Sequence, residues 1–144
     1  MNPENFKKRT KTFALKIIEL VENLPRTRNA NVLAQQLLRC GTSIGANYRA
    51  ACRAKSLADF IAKMKIVEEE ADETIYWLEL LVESKFITQK AVEFLEIEAD
   101  EIIAIVVSSI KTARENLNDR NRQSSFVNRQ SVGGVTQVAK GDSL

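Results

Sequence analysis

At 144 residues the chain is long enough for one hydrophobic core and too short for two. Its 44% apolar and 28% charged residues are the proportions of a globular domain, which argues against disorder throughout. The longest apolar run, Ile102 to Val107, falls far short of the roughly 18 residues that span a bilayer, and Met1-Asn2-Pro3-Glu4 opens without a signal-peptide apolar region, so a cytoplasmic address with no membrane partner is expected.

Along residues 5–24 the set Phe6, Phe13, Ile17, Leu20, Leu24 recurs in steps of three and four, with Thr10 filling the missing place, and Leu24-Pro25 ends this first helix because a residue before proline resists the α conformation. A short polar connection, residues 26–29, leads to a second helix expected over 30–53 and capped by Asn29 or Asn31. Its seam is Leu33, Leu37, Cys40, Ile44, Asn47 and Ala51, interleaved with Ala34, Leu38, Gly41, Gly45 and Tyr48. Ser56-x-x-Asp59 resembles a capping box and opens the most regular heptad of the chain, in which Phe60, Met64, Val67, Ala71, Thr74, Leu78 and Leu81 alternate four and three without a slip. Ser84 to Ile87 break that pattern. Thr88 then caps a fourth helix, expected to end near Asn116, with the seam Leu95, Ala99, Ile102, Val106, Ser109 and Ala113. No strand signal survives. The expected fold is all-α, an antiparallel up-down-up-down four-helix bundle over residues 1–117. Residues 118–144, rich in Asn, Arg, Gln, Ser and Gly, form an expected flexible basic tail, either a simple solvated terminus or an aid in holding a nucleic acid or acidic partner.

The net charge of +2 hides a strong internal polarity, with +9 on residues 1–65, −10 on 66–119 and +3 on 120–144. Lys7, Lys8 and Lys11 share one helical face, Arg49 and Arg53 another, and Arg26 and Arg28 lie in or beside the first connection. Such a set can neutralise phosphates without reading sequence, or it can pair with the acidic helices. Glu68, Glu69, Glu70, Asp72 and Glu73 form the densest acidic cluster. They could ligate a hard cation or do acid–base work, but no second helix offers a matching set, so a solvated or ion-paired face is expected, with no metal and no cofactor. Histidine is absent, which removes the commonest general base and metal ligand. Cys40 and Cys52, twelve positions apart in one expected helix, lie about 18 Å apart along its axis and cannot bridge. Both are expected to be small core residues.

Gly41 and Gly45 each cost a helix about 1 kcal/mol relative to Ala. The close approach of another helix would offset that, and Asn47 on the same seam is expected to fix register through a buried hydrogen bond. Gly41-Thr42-Ser43-Ile44-Gly45 lacks both the Lys and the strand–loop–helix setting of a phosphate-binding loop. Ile102 to Val107 place apolar side chains all round the fourth helix, and Tyr76 to Val82 do so on the third. A monomer needs only one apolar stripe per helix, so Tyr76, Trp77, Ile103, Ile105 and Val107 are expected to lie in a contact between copies of the chain.

The segments 39–48 (RCGTSIGANY), 56–60 (SLADF) and 65–78 (KIVEEEADETIYWL), in that order, resemble the bacterial four-helix bundle family of proteins encoded in intervening sequences of 23S ribosomal RNA genes, called ribosomal proteins by name. The resemblance covers about residues 5–117 and does not extend to the tail. It implies a non-enzymatic antiparallel bundle that assembles as a homopentamer. A related branch, the accessory proteins of diversity-generating retroelements, implies a basic pentameric surface that meets nucleic acid and reverse transcriptase. Ala50 departs from the family pattern, which usually shows Glu after the Asn-aromatic pair. The resulting expectation is a homo-oligomer that binds RNA or a nucleoprotein through Lys7, Lys8, Lys11, Arg26, Arg28, Arg49 and Arg53, without catalytic residues or a small-molecule substrate. The alternative is a protein-only scaffold joined by complementary acidic and basic helices.

Overall fold

The computed structural model describes the backbone of residues 2–142 and the side chains of residues 2–130. It contains four α-helices, α1 (Pro3–Glu22), α2 (Arg28–Cys52), α3 (Leu57–Glu83) and α4 (Gln89–Asp142), and no strand among the described residues. Each helix packs on the next in sequence, and the contact that closes the ring, α1 against α4, is the thinnest. None of the described helices is long and apolar enough to cross a membrane.

Local chemistry sets each helix start. Asn2 Oδ1 accepts from the backbone N–H groups of Glu4 at 2.9 Å and Asn5 at 3.3 Å, and Pro3 occupies the first turn, where a missing N–H costs nothing. Thr27, not Asn29 or Asn31, caps α2, its Oγ1 accepting from Ala30 N–H at 3.3 Å. The helix therefore begins two residues earlier than the expected start at Ala30. At α3 the Asp59 N–H donates to Ser56 Oγ at 3.0 Å, while Asp59 Oδ2 accepts from Lys55 N–H at 3.1 Å, a reciprocal pair of the capping-box kind. Thr88 Oγ1 accepts from Ala91 N–H at 3.3 Å at the start of α4.

The end of α3 is a Schellman motif. Phe86 N–H donates to Leu81 O at 3.0 Å and Lys85 N–H to Val82 O at 2.9 Å, with Lys85 in the left-handed region at φ 64°. Phe86 turns back onto the core as the apolar partner that usually accompanies this cap.

The core follows the period read from the sequence. Phe6, Phe13 and Ile17 of α1, Leu37 and Ile44 of α2, Met64, Val67, Leu78 and Leu81 of α3, and Ile102 and Val106 of α4 are all buried. The two buried threonines are satisfied within their own helices: Thr10 Oγ1 donates to Phe6 O at 3.1 Å and Thr74 Oγ1 to Glu70 O at 2.7 Å. In α2 the buried residues Ala30, Ala34, Leu37, Gly41, Ile44, Tyr48 and Ala51 alternate four and three to the end of the helix. Tyr48 rather than Asn47 turns inward, stacking edge-on against Phe6 with ring centroids 4.6 Å apart. Asn47 is half-buried and its Nδ2 donates to Ser43 O of the same helix at 2.8 Å, so the expected hydrogen bond between helices is not made. Asn47 and Tyr48 both stand three or four residues from Ile44 and Ala51, which are buried, so spacing admits either, and the large Tyr48 ring rather than the polar amide fills the core place. Cys40 is buried as expected, whereas Cys52, at the helix end, is exposed.

The largest departure is the length of α4, which was expected to end near Asn116 and runs to Asp142. Propagating an existing helix costs little, and nothing between Asn116 and Gly133 breaks one, so a polar composition does not by itself end α4. Leu117 is half-buried, and every side chain described beyond it, residues 118–130, is exposed. Whether the flexibility expected of 118–144 extends to the side chains past residue 130 lies outside the described residues.

Candidate nucleic-acid interface

The antiparallel register of α1 and α2 sets Lys7, Lys8, Lys11 and Ala14 opposite Thr42, Gly45, Ala46 and Arg49 along a groove of about 420 Å³. Small residues make this groove. A Cβ at Gly45 would stand 3.1 Å from Thr10 Oγ1, so the absence of a side chain there lets α1 lie close against α2. One acid, Glu4, lies at the rim, and its Oε1 accepts from Lys7 Nζ at 3.1 Å. Lys8, Lys11 and Arg49 are exposed and have no ion-pair partner among the described residues. Three or four cations thus converge around a floor of small side chains and hydroxyls, a shape and charge suited to a phosphate backbone.

The seven basic residues proposed from the sequence do not form one surface. Arg53 follows Arg49 by four residues, at the C-cap of α2, and does not line the groove. Arg26 and Arg28 lie at the other end of the bundle, where Arg26 pairs at 3.5 Å with Glu22, itself about 16 Å from Lys11 along α1. Other bases of the first half are taken up inside the fold. The Arg9 guanidinium binds Glu98, with Nε 3.1 Å from both carboxylate oxygens, and also Glu101, so that α1 is pinned to α4. These carboxylates hold the Arg9 proton still more tightly than usual, chiefly through the Glu98 hydrogen bond. Arg39 of α2 reaches Glu70 at 3.4 Å and Glu73 on α3.

The acidic cluster is therefore in part a structural partner of the basic half. Glu70 and Glu73 bind Arg39, and Glu68 accepts from Lys65 at 3.3 Å. Burial pushes the Glu70 carboxyl above its ordinary range, opposed by Arg39. Among the described residues no three His, Cys, Asp or Glu side chains converge into a group that could hold a metal ion. Burial also pushes the Cys40 thiol up, which disfavours the nucleophilic thiolate.

The residues expected at a contact between copies divide in two. Tyr76 and Val107 are exposed, at 52% and 45%. Trp77, Ile103 and Ile105 instead lie half-buried against the core, and Trp77 Nε1 donates to Glu73 Oε1 at 3.2 Å. Leu15 and Ile18 on α1 and Phe94 and Ile97 on α4 are also exposed apolar residues, and the sequence reading does not single them out. Lys16 Nζ sits 3.8 Å from the centroid of the Phe94 ring, a cation–π contact across the thin α1–α4 seam.

A family model described as 23S rRNA-intervening sequence protein matches residues 5–108. Among solved structures, the chain is similar to a protein of unknown function from the S23 ribosomal protein family of Bacteroides thetaiotaomicron VPI-5482, with a TM-score of 0.72 and 41% identity over 77% of this chain and 99% of that one. No curated protein matches. A match over well above half of the chain, on the helices that build the groove, places the protein in the family of 23S rRNA-intervening sequence proteins.

Proposed function

We propose that this protein is a non-enzymatic bundle that assembles as a homo-oligomer, a pentamer, and binds structured RNA or a ribonucleoprotein through the α1–α2 groove in the cytoplasm. The observation that carries the reading is the convergence of Lys7, Lys8, Lys11 and Arg49 on a floor set by Gly45, with three of these cations lacking an ion-pair partner among the described residues. Arg53 does not line the groove, and Arg26 and Arg28 would reach the same nucleic acid only at the far end of the bundle. Exposed Tyr76 and Val107 supply apolar area for the contact between copies. The family's link to ribosomal RNA genes supports RNA as the polyanion.

A second reading, a protein-only scaffold, draws on the exposed carboxylates of α3. Glu69, Asp72, Glu79 and Glu83 have no ion pair among the described residues and complement the groove in sign. Light-scattering mass of the purified protein, with and without nuclease, tests both. An oligomer that carries RNA removable by nuclease supports the first reading. A nucleic-acid-free oligomer that falls apart on Lys8→Glu/Lys11→Glu substitution supports the scaffold and contradicts the first.

A further inference from the structure

Beyond Leu117 the last helix leaves the bundle. Its first thirteen residues past that point, 118–130, extend about 20 Å with every side chain exposed, so none contributes to the core. The similar solved structure is matched over 99% of its length by 77% of this chain, so about a quarter of this chain has no counterpart there. Between 116 and 130 the only acid is Asp119, against Arg120, Arg122 and Arg129. Arg122, Phe126 and Arg129 stand at i, i+4 and i+7 and share one face of the helix. Phe126 is 61% exposed, a large apolar ring on a stretch of helix whose described side chains are all exposed. Arg122 touches Asp119 at 2.5 Å and Arg129 reaches only the Ser125 hydroxyl at 3.4 Å, both contacts local to the helix and open to solvent.

The extension leaves the bundle where α1 begins. Thr112, Ala113 and Asn116 of α4 border the same cavity as Asn2, Asn5 and Phe6 of α1, whose next turn carries Lys7 and Lys8 into the basic groove. We infer that residues 118–130 form an RNA-binding arm in which Arg122 and Arg129 contact phosphates on either side of an unpaired base that stacks on Phe126. The inference rests on the reading of the groove as an RNA site and adds the kind of RNA preferred, one with unpaired bases in a loop or bulge. Guanidinium groups supply the charge, and an exposed ring supplies a stacking face that a closed duplex does not need. Amide side chains at Asn118, Asn121 and Asn128 offer hydrogen bonds of either sense along the same rod.

The test uses the full chain with two labelled probes, a stem-loop RNA and a blunt duplex of the same stem. Phe126→Ala is expected to weaken stem-loop binding by about tenfold and to leave duplex binding unchanged, as loss of one base–aromatic stack would. Arg122→Gln/Arg129→Gln is expected to reduce the slope of log affinity against log salt by about 2 for both probes, with the oligomer mass unchanged. If both variants bind as the unaltered protein does while Lys8→Glu/Lys11→Glu abolishes binding, the arm is refuted and the groove stands. If the arm variants split the oligomer without altering RNA affinity, the extension is a subunit contact and the inference fails. An unaltered protein that binds neither probe refutes arm and groove together.

Discussion

Gly41 of α2 lies so close to Ile17 of α1 that a Cβ placed on it would stand 2.9 Å from Ile17 Cγ1 and 3.0 Å from Cγ2. Ile17 is fully buried and branched at Cβ, so its side chain cannot swing aside without disturbing the core. Gly41→Ala therefore sets a helix-propensity gain of about 1 kcal/mol against an overpacking cost of about 1–3 kcal/mol. The expected outcome is a net loss of stability on chemical denaturation. Gly45→Ala, facing Thr10 Oγ1 at 3.1 Å, is expected to lose less.

Lys85 supplies the opposite case. Its left-handed backbone at φ 64° closes the Schellman motif at a cost that glycine would not incur. Lys85→Gly should stabilise the bundle by about 0.5–1 kcal/mol, the relief of the left-handed penalty less the added entropy of the unfolded chain. A raised thermal midpoint with an unchanged circular dichroism spectrum would be the readout.

The start of α3 predicts a pH dependence. Hydrogen bonds from Lys63 and then from the Lys55 backbone hold the Asp59 carboxyl below the usual carboxylate range. A group with a depressed folded value adds stability above its unfolded value, about 3.9, and loses it as pH falls through the lower folded one. Asp59→Asn should therefore be less stable than the unaltered protein near neutrality, and the gap should close in strong acid. Glu70 acts in the reverse sense. Its folded value is raised by burial, so its contribution is present in acid and is lost as pH rises through that value. Ser56→Ala removes the cap itself and should cost about 1 kcal/mol at any pH.

The two thiols should differ in reactivity. Cys52 is exposed, whereas Cys40 is fully buried with its thiol pushed up by desolvation. Alkylation of the native protein followed by mass spectrometry should label Cys52 at least about tenfold faster than Cys40, and denaturant should erase the difference. Equal native rates would mean that the α2–α3 packing around Cys40 opens readily.

Much of this architecture was legible in the spacing of apolar residues. The α3 heptad from Met64 to Leu81 is buried throughout, and Ser56 caps where its sequence context places it. The misreadings share a physical origin, since periodicity reports packing and is silent where packing stops. It therefore ends α4 near the last packed residue although the helix runs on, and between Ile44 and Ala51 it admits Asn47 and Tyr48 alike, a choice that the volume and polarity of the two side chains decide for Tyr48. At the candidate interface the sequence singled out the basic residues but not their grouping. Only the pairing of α1 with α2 brings Lys7, Lys8, Lys11 and Arg49 together and leaves Arg26 and Arg28 at the far end. Gly45 was the available clue, since a residue that lets two helices approach also fixes which faces line the groove between them.

The central claim is that the α1–α2 groove holds an RNA backbone, and its most direct test is the salt dependence of stem-loop RNA binding by the unaltered protein and by Lys8→Glu/Lys11→Glu/Arg49→Glu. Four groove cations engaging four phosphates give a log–log slope of about −3 to −4 per site. The substituted protein, still folded and of the same mass, should lose most of that slope and most of its affinity. An unchanged slope and affinity in that variant would contradict the account.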